Sequence, residues 1–313
     1  MGGLRDALEH RQIWIYLVAV LGAAVAAVLL PGTTMLESGI NPALALMLFV
    51  TFLQVPLAAL GRAFTRLRFL AALAVANFIA VPLLVAALLP LLPDHPLVRL
   101  GVLLVLLAPC IDYVVTFSHL GQADARLLLA ATPALLLLQM LLLPLYLHLM
   151  LGDAAAGLIQ PGPFLHAFLW LIVLPLALAA LLQYAAAHTP AGQRAITLLG
   201  LLPVPATALV LLLVVAAVLP RMGTDVLQAV PVFLAFALLA PLLGWGIGRL
   251  FRLEPAAGRA VAFSAATRNS LVVLPLAFTV PGAMPLLPAI IVTQTLVELL
   301  SQLFYIRALP KLR

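Results

Sequence analysis

The chain has 313 residues, of which 65% are hydrophobic and 8% are charged, and its formal net charge at pH 7 is +6. A water-soluble domain carries about 25% charged residues, so this composition excludes a soluble globular protein. The single cysteine, Cys110, excludes an internal disulfide. We therefore expect an all-α integral membrane protein in contact with membrane lipid.

Ten apolar stretches follow one another along the chain, and each can cross about 30 Å of hydrocarbon as a helix. The connections between them are short, which leaves no room for a separate soluble domain. The predicted spans are 12–30, 39–60, 69–92, 98–119, 126–151, 163–187, 195–219, 228–250, 258–281 and 285–308.

The basic residues predict the orientation, because loops on the cytoplasmic side are enriched in Lys and Arg. Arg268 falls inside a span, and Arg99 and Arg221 lie on one side of the membrane. The remaining basic residues all lie on the other side: Arg5, Arg11, Arg62, Arg66, Arg68, Arg126, Arg194, Arg249, Arg252, Arg259, Arg307, Lys311 and Arg313. We expect a multi-pass protein of the cell inner membrane with both termini cytoplasmic. This asymmetry explains the net charge without a nucleic-acid partner.

Ten spans divide into two halves of five, residues 1–156 and 157–313. Because five is odd, the halves have opposite orientations, as in the inverted repeats of many secondary transporters. One constant offset aligns polar and helix-breaking residues of the two halves, although coincidence is an alternative in a chain this rich in proline and leucine. The aligned pairs are Pro82 with Pro241, Pro109 with Arg268, Cys110 with Asn269, and Gln139 with Glu298.

The fourth span, LVLLAPCIDYVVTFSHL, combines a helix breaker with polar residues. Pro109 removes a helical hydrogen bond, and the freed backbone groups can line a cavity. In an unwound segment, Cys110 and Asp112 could both face that cavity as substrate ligands. Three alternatives stay open: Pro109 as an ordinary kink, Cys110 as a small buried side chain, and Asp112 as a structural partner of Arg268.

The ninth span, AFSAATRNSLVVLPLAF, contains four consecutive polar residues, Thr267, Arg268, Asn269 and Ser270. Four neighbours cannot share one helical face, so we predict a second interruption here. A charge inside a span costs about 2.5–3.5 kcal/mol on insertion scales. Arg268 therefore needs a counter-charge, for which we favour Asp112, or an anionic substrate. We predict Arg268, Asn269 and Ser270 as substrate-binding residues, with Thr267 in support.

The tenth span places Gln294 and Glu298 on one polar stripe. Carboxyl groups inside spans often belong to proton pathways, so Glu298 and Asp112 are the predicted proton-coupling residues. An interhelical hydrogen bond from Glu298 to Gln139 of the fifth span is the alternative. Asn77 in the third span is predicted to hydrogen-bond a neighbouring helix. No zinc, Walker or catalytic motif is present.

The segments APCIDYVVTFSHL and ATRNSLVVLPLAF resemble the broken fourth and ninth helices of the bile acid:sodium symporter superfamily, and in particular its arsenical-resistance permeases. The resemblance runs over almost the whole chain. It implies a core domain of helices 3–5 and 8–10, a panel of helices 1, 2, 6 and 7, and a ligand at the crossing of discontinuous helices 4 and 9. Cys110 matches the cysteine of the arsenite permeases.

This chain differs from the families that it resembles at two sets of positions, and these differences change which ion sites can be inferred from the resemblance. Sodium-coupled members have Ser-Asn where this chain has Val114 and Val115, and Glu and Gln where it has Ser264 and Arg268. Losing oxygen ligands and adding a cation removes such sodium sites, so we expect no sodium coupling. Arsenite permeases carry a ninth-helix glutamate where this chain has Leu271, so Glu298 or Asp112 would have to move the proton.

We expect an efflux permease for arsenite or antimonite, driven by proton exchange through alternating access, with Cys110 as the metalloid ligand. A thiolate is a soft ligand that suits trivalent arsenic. One alternative is a carrier of an organic anion held by Arg268; another is an intramembrane enzyme or a structural subunit, for which no nucleophile–base pair or large soluble face is visible. No cofactor and no bound metal other than the metalloid are expected, and the oligomeric state is left open.

Overall fold

The computed structural model describes residues 2–55, 66–111, 113–152 and 161–312, and within these ranges the regular structure is helical without strands. Prolines and polar caps start many helices: Pro96, Pro190, Pro203 and Pro255 occupy first turns, and the Asp124 carboxylate accepts a hydrogen bond from the Leu127 N–H at 3.1 Å.

We number the helices in chain order. The first half of the chain contains α1 (Gly2–Leu29), α2 (Ile40–Phe52), α3 (Leu67–Leu91, with a π-helical turn at Ala76–Ala80), α4 (Pro96–Leu106), α5 (Tyr113–Leu120) and α6 (Ala125–Leu151). The second half contains α7 (Leu165–His188), α8 (Pro190–Leu199), α9 (Pro203–Val218), α10 (Val230–Leu250), α11 (Pro255–Ala266), α12 (Ser270–Ala277) and α13 (Leu286–Ala308).

Eight helical segments within the described ranges are long and apolar enough to cross a membrane. They correspond to eight of the ten predicted spans. The other two predictions, 98–119 and 258–281, fall on pairs of shorter helices, α4 with α5 and α11 with α12. The count of ten spans and the inverted repeat therefore stay predictions.

The predicted start of the seventh span at residue 195 is wrong. Residues Pro190–Leu199 form the separate helix α8, and the membrane-length helix begins at Pro203. Pro203 has no N–H to continue the hydrogen bonds of α8, so the chain ends one helix and starts another. The first helix also begins earlier than predicted, at Gly2 rather than at residue 12.

The described helices form two compact units. The first unit comprises Met1–Gln54, Ile159–Gly223 and Leu274–Val292. Within it α1 and α2 pack against α9, and α7 packs against α2 and α8. The Gln183 side-chain amide of α7 donates to the Phe52 and Leu53 carbonyls at the end of α2, both at 3.3 Å, and satisfies acceptors that the helix end leaves open.

The second unit comprises Val55–Leu158, Thr224–Val273 and Thr293–Arg313. Helices α10 and α11 pack along their length, and α5 and α4 pack against α6. Two tyrosine hydroxyls bind main-chain carbonyls inside this unit: Tyr146 donates to Phe78 at 2.6 Å, and Tyr305 donates to Ala237. All the functional residues discussed below belong to this second unit.

Candidate functional site

Both predicted interruptions are present in the second unit. Helix α4 ends at Leu106 and α5 begins at Tyr113, while α11 ends at Ala266 and α12 begins at Ser270. The first break contains Pro109, which cannot donate a main-chain hydrogen bond. The second contains no proline but the polar residues Thr267–Asn269, and the side chains of Thr267 and Arg268 bind groups on other helices.

The two breaks meet as a short antiparallel bridge, with Pro109 opposite Arg268. The Cys110 N–H donates to the Thr267 carbonyl at 3.0 Å, and the Asn269 N–H donates to the Ala108 carbonyl at 2.8 Å. Unpaired main-chain groups are costly in an apolar environment. Each break therefore satisfies main-chain groups that the other has lost.

The Arg268 side chain is fully buried where the two breaks meet, which we call the crossing. Its guanidinium donates hydrogen bonds to oxygen atoms of three helices, α3, α4 and α11. It donates to the Leu106 carbonyl at the end of α4 at 3.3 Å and to the Asn77 side-chain Oδ1 in α3 at 2.9 Å. It also donates to the Ser264 carbonyl and, at 2.7 Å, to the Ala265 carbonyl in the last turn of α11. Its centre lies 5.6 Å from the ring of Phe236. The guanidinium thus joins the C-terminal ends of two half-helices.

The hydrogen bonds of the Arg268 side chain are a consequence of the break in the helix. In a continuous helix the Ser264 carbonyl would accept from the Arg268 N–H. That N–H donates instead to Glu298 Oε2 at 2.7 Å, and the Arg268 side chain turns back to satisfy the Ser264 carbonyl. Among the residues that the structure describes, the guanidinium forms no salt bridge.

The Glu298 carboxyl group accepts three hydrogen bonds from different parts of the unit. The donors are the Tyr113 hydroxyl, the Arg268 main-chain N–H and the Gln294 side-chain amide, each at 2.7 Å. The Tyr113 hydroxyl also lies 3.0 Å from the Arg268 carbonyl oxygen. Glu298 therefore links the start of α5 and the break before α12 to helix α13.

Two further polar contacts extend this network along α13. The Ser270 hydroxyl donates to Gln294 Oε1 at 2.6 Å, and the Gln302 amide donates to the Thr267 hydroxyl at 2.8 Å. Predicted residues Thr267, Arg268, Ser270 and Gln294 thus lie in one hydrogen-bonded cluster with Glu298. The glutamines and Glu298 of α13 hold both ends of the second break.

Cys110 is buried next to this cluster and forms no disulfide. Its main-chain N–H forms the bridge to the Thr267 carbonyl. Because the main chain makes the structural contact, the sulfur is not needed for the bridge. Within the described part of the chain no three His, Cys, Asp or Glu residues are grouped as a metal site would require.

The remaining predicted residues are less well connected to the cluster. Asp112 lies outside the described residues, so its pairing with Arg268 and its proton role stay predictions. Gln139 is buried in α6, and its Oε1 atom has no hydrogen-bond partner among the described residues. The side-chain nitrogen of Asn269 likewise has no hydrogen-bond partner among the described residues. Both atoms have capacity for a ligand.

Two residues that contact the predicted site were not predicted to belong to it. The hydrogen bond predicted for Asn77 is confirmed, since its amide donates to the Ser264 hydroxyl at 2.9 Å, but its contact with Arg268 was not foreseen. Tyr113 was not singled out at all. Both are polar residues inside predicted spans, and this could have marked them as candidates. The sequence alone does not tell which neighbouring residue either side chain contacts.

Comparison with known proteins identifies the family. A family model described as the Sodium Bile acid symporter family matches residues 41–229, which is more than half of the chain. The match includes the first interruption and ends before α11. A search of curated proteins finds no match. Members of the matched family are membrane transporters, in agreement with the repeated apolar helices. The chain is a multi-pass membrane protein that belongs to the Sodium Bile acid symporter family.

Proposed function

We propose that this transporter exports arsenite or antimonite across the cell membrane, with Cys110 as the metalloid ligand and proton exchange as the driving force. The supporting observation is the position of Cys110. The only cysteine of the chain lies where two interrupted helices are joined, and the joint is made by its main-chain N–H. Secondary transporters bind their substrates at such discontinuous helices.

A thiol suits this cargo chemically. Trivalent arsenic in water is a neutral hydroxide, and the Cys110 sulfur would form an S–As bond as one As–O bond breaks, with the thiol proton leaving on that hydroxyl as water. The exchange is reversible and needs no oxidant. Soft sulfur ligands hold soft ions in preference to the hard cations of the cell. Asn269, whose main chain is part of the same bridge, would then offer its side-chain nitrogen as a donor to one of the remaining hydroxyl groups.

The Glu298 contacts support a role in proton exchange. A carboxylate accepts all three of the hydrogen bonds observed, whereas a protonated carboxyl group is a donor at one oxygen. A proton on Glu298 Oε1 would donate to the Tyr113 hydroxyl, which can turn its own proton to the Arg268 carbonyl oxygen 3.0 Å away. Protonation would therefore rearrange the hydrogen bonds between α13, Tyr113 and the break at Arg268. This would couple the proton to a movement of the crossing. Asp112 remains the second proposed carrier.

The division into compact units supports a core and a panel. The second unit collects most of predicted helices 3–5 and 8–10, and the first collects helices 1, 6 and 7, most of helix 2, and residues 274–292 from predicted helices 9 and 10. In this proposal the crossing belongs to the core, and alternating access exposes it to either side of the membrane. The two five-helix repeats, 1–156 and 157–313, would each contribute one interrupted helix.

Replacing the Cys110 sulfur by oxygen tests the substrate. We expect Cys110→Ser to abolish arsenite tolerance in an arsenic-sensitive bacterial host, because the main-chain bridge stays intact while the soft ligand is lost. Ala108→Ser is the matched control, since it adds a hydroxyl to a fully buried neighbour in the same break. Tolerance is measured as growth against arsenite concentration at equal amounts of membrane-inserted protein.

Full tolerance in Cys110→Ser would reject the metalloid role. Transport in proteoliposomes then tests the alternative cargo: uptake of an organic anion that survives Cys110→Ala and is lost in Arg268→Gln would indicate a carboxylate carrier. In the described structure the guanidinium donates to carbonyl oxygens and Asn77, and its Nε atom has no hydrogen-bond partner, so an organic anion would bind there.

A further inference from the structure

The oxygen shell around Arg268 is unusual for a buried arginine. Among the described residues, three of its acceptors are main-chain carbonyls, of Leu106, Ser264 and Ala265, and the fourth is the neutral Asn77 side chain. Buried arginines are normally paired with carboxylates or phosphates. Neutral carbonyl oxygens gathered from different chain segments are instead the ligands with which proteins surround alkali-metal ions.

The electrostatics of the crossing explain why a positive charge is needed there. Each helix carries roughly half a negative charge at its C-terminal end, on carbonyls without a helical partner. Helices α4 and α11 both end at this point, and Leu106 and Ser264 are such carbonyls. Two negative helix ends inside a fully buried site repel each other unless a cation lies between them.

We infer that Arg268 is a tethered cation that takes the place of a mobile monovalent ion between the two half-helices. A bound ion would enter and leave with the transport cycle, whereas the guanidinium is attached to the second break and is always present. The protein therefore assembles its crossing without sodium or potassium. This deepens the proposed function, since it names what stabilises the site, but it does not depend on the metalloid as cargo.

Removing the side chain tests the inference on the purified full chain. We expect Arg268→Ala to lower the thermal unfolding temperature in choline chloride, because the helix ends lose their counter-charge. Sodium, potassium or millimolar guanidinium should then restore at least half of the loss in a saturable manner, at constant ionic strength. The wild-type protein should unfold at the same temperature in sodium, potassium and choline.

Arg259→Ala is the matched control. Arg259 lies on α11, the helix that precedes the break at Arg268, and its partly exposed guanidinium donates to the Gln122 carbonyl at 2.7 Å. This variant removes an equal charge but opens no buried site, so its unfolding temperature should not distinguish the three cations.

Two results would overturn the inference. One is a wild-type protein that sodium or potassium stabilises relative to choline, since the site would then already hold an ion. The other is an Arg268→Ala variant whose cation response does not exceed that of Arg259→Ala. If Arg268→Ala cannot be purified, Arg268→Gln enters the same titration, and the wild-type comparison stands without any variant. Arsenite tolerance is not a readout here, so failure of the cargo proposal would leave this result unchanged.

Discussion

Two buried ionisable side chains organise the crossing, and they do so without a direct ion pair in the described structure. Arg268 directs its charge to carbonyl oxygens, and Glu298 draws its hydrogen bonds from a hydroxyl, a main-chain N–H and an amide. Each charge is dispersed over neutral dipoles, which is how a buried ion avoids the penalty of lost hydration.

Glu298→Gln tests the proton step at this scale. We expect the variant to keep arsenite exchange at equal concentrations on both sides of proteoliposomes but to lose uptake driven by a pH gradient, because an amide cannot bind and release a proton. Radiolabelled arsenite flux with and without the gradient measures this. Glu254→Gln, an exposed carboxylate of the same unit, should keep both activities. Gradient-driven uptake in Glu298→Gln would contradict the role.

The sequence was sufficient to select Cys110, Arg268 and Glu298, because a thiol or a charge inside an apolar span is conspicuous. It was not sufficient to select Asn77 and Tyr113. Their importance depends on which helices pack side by side, and the contact of Asn77 with Arg268 joins residues 191 positions apart. Long-range packing of this kind leaves no local pattern in the sequence.

At the level of helices, proline alone is a poor guide to interruptions. Pro133 and Pro144 lie inside the continuous helix α6, and Pro241 lies inside α10. The second break, by contrast, contains no proline. Neighbouring helices can satisfy a carbonyl that one proline leaves free, but a run of polar side chains needs partners on several sides. The polar run at Thr267–Ser270 therefore predicted a break more reliably than proline content.

The contact between α10 and α11 depends on two glycines with helical spacing. A Cβ atom at Gly244 would lie 2.7 Å from the Ala262 Cα, and one at Gly248 would lie 2.9 Å from the Gly258 Cα. Small residues at this spacing let helix backbones approach closely inside membranes. The approach positions α11, and with it the Arg268 break, within the second unit.

Gly244→Ala should therefore destabilise the protein by about 1–3 kcal/mol, the usual cost of overpacking, because backbone atoms rather than flexible side chains must move. Gly246→Ala is the control on the same helix, since its added Cβ would meet nothing within 4 Å. Thermal unfolding in detergent should show a lower midpoint for the first variant alone. Equal midpoints would show that the helices can separate without cost.

At the level of the whole molecule, each compact unit is assembled from three separate stretches of chain. Hydropathy predicts where helices lie, but it does not tell which helices join which unit, since lipid-facing and protein-facing surfaces are equally apolar. Here the resemblance to a known family was needed to expect a core and a panel. The presence of the eight long helices was predictable from the apolar stretches of the sequence alone.

The basic residues make a prediction at this scale. We expect both termini in the cytoplasm, because the cytoplasmic side retains positively charged loops. A C-terminal green fluorescent protein should fluoresce and a C-terminal alkaline phosphatase should be inactive, with a fusion after Asp94, in the predicted outer loop, giving the opposite pair. An active phosphatase at the C-terminus would require an odd number of spans or the reverse orientation.

The bridge between the two breaks is made entirely of main-chain atoms, at Ala108, Cys110, Thr267 and Asn269. Every amino acid except proline brings the same N–H and carbonyl to such a joint. Evolution can consequently exchange the side chains that surround it while the main-chain joint persists, and under the proposed function such an exchange changes the cargo. Redesigning this transporter for another solute should begin with those four positions.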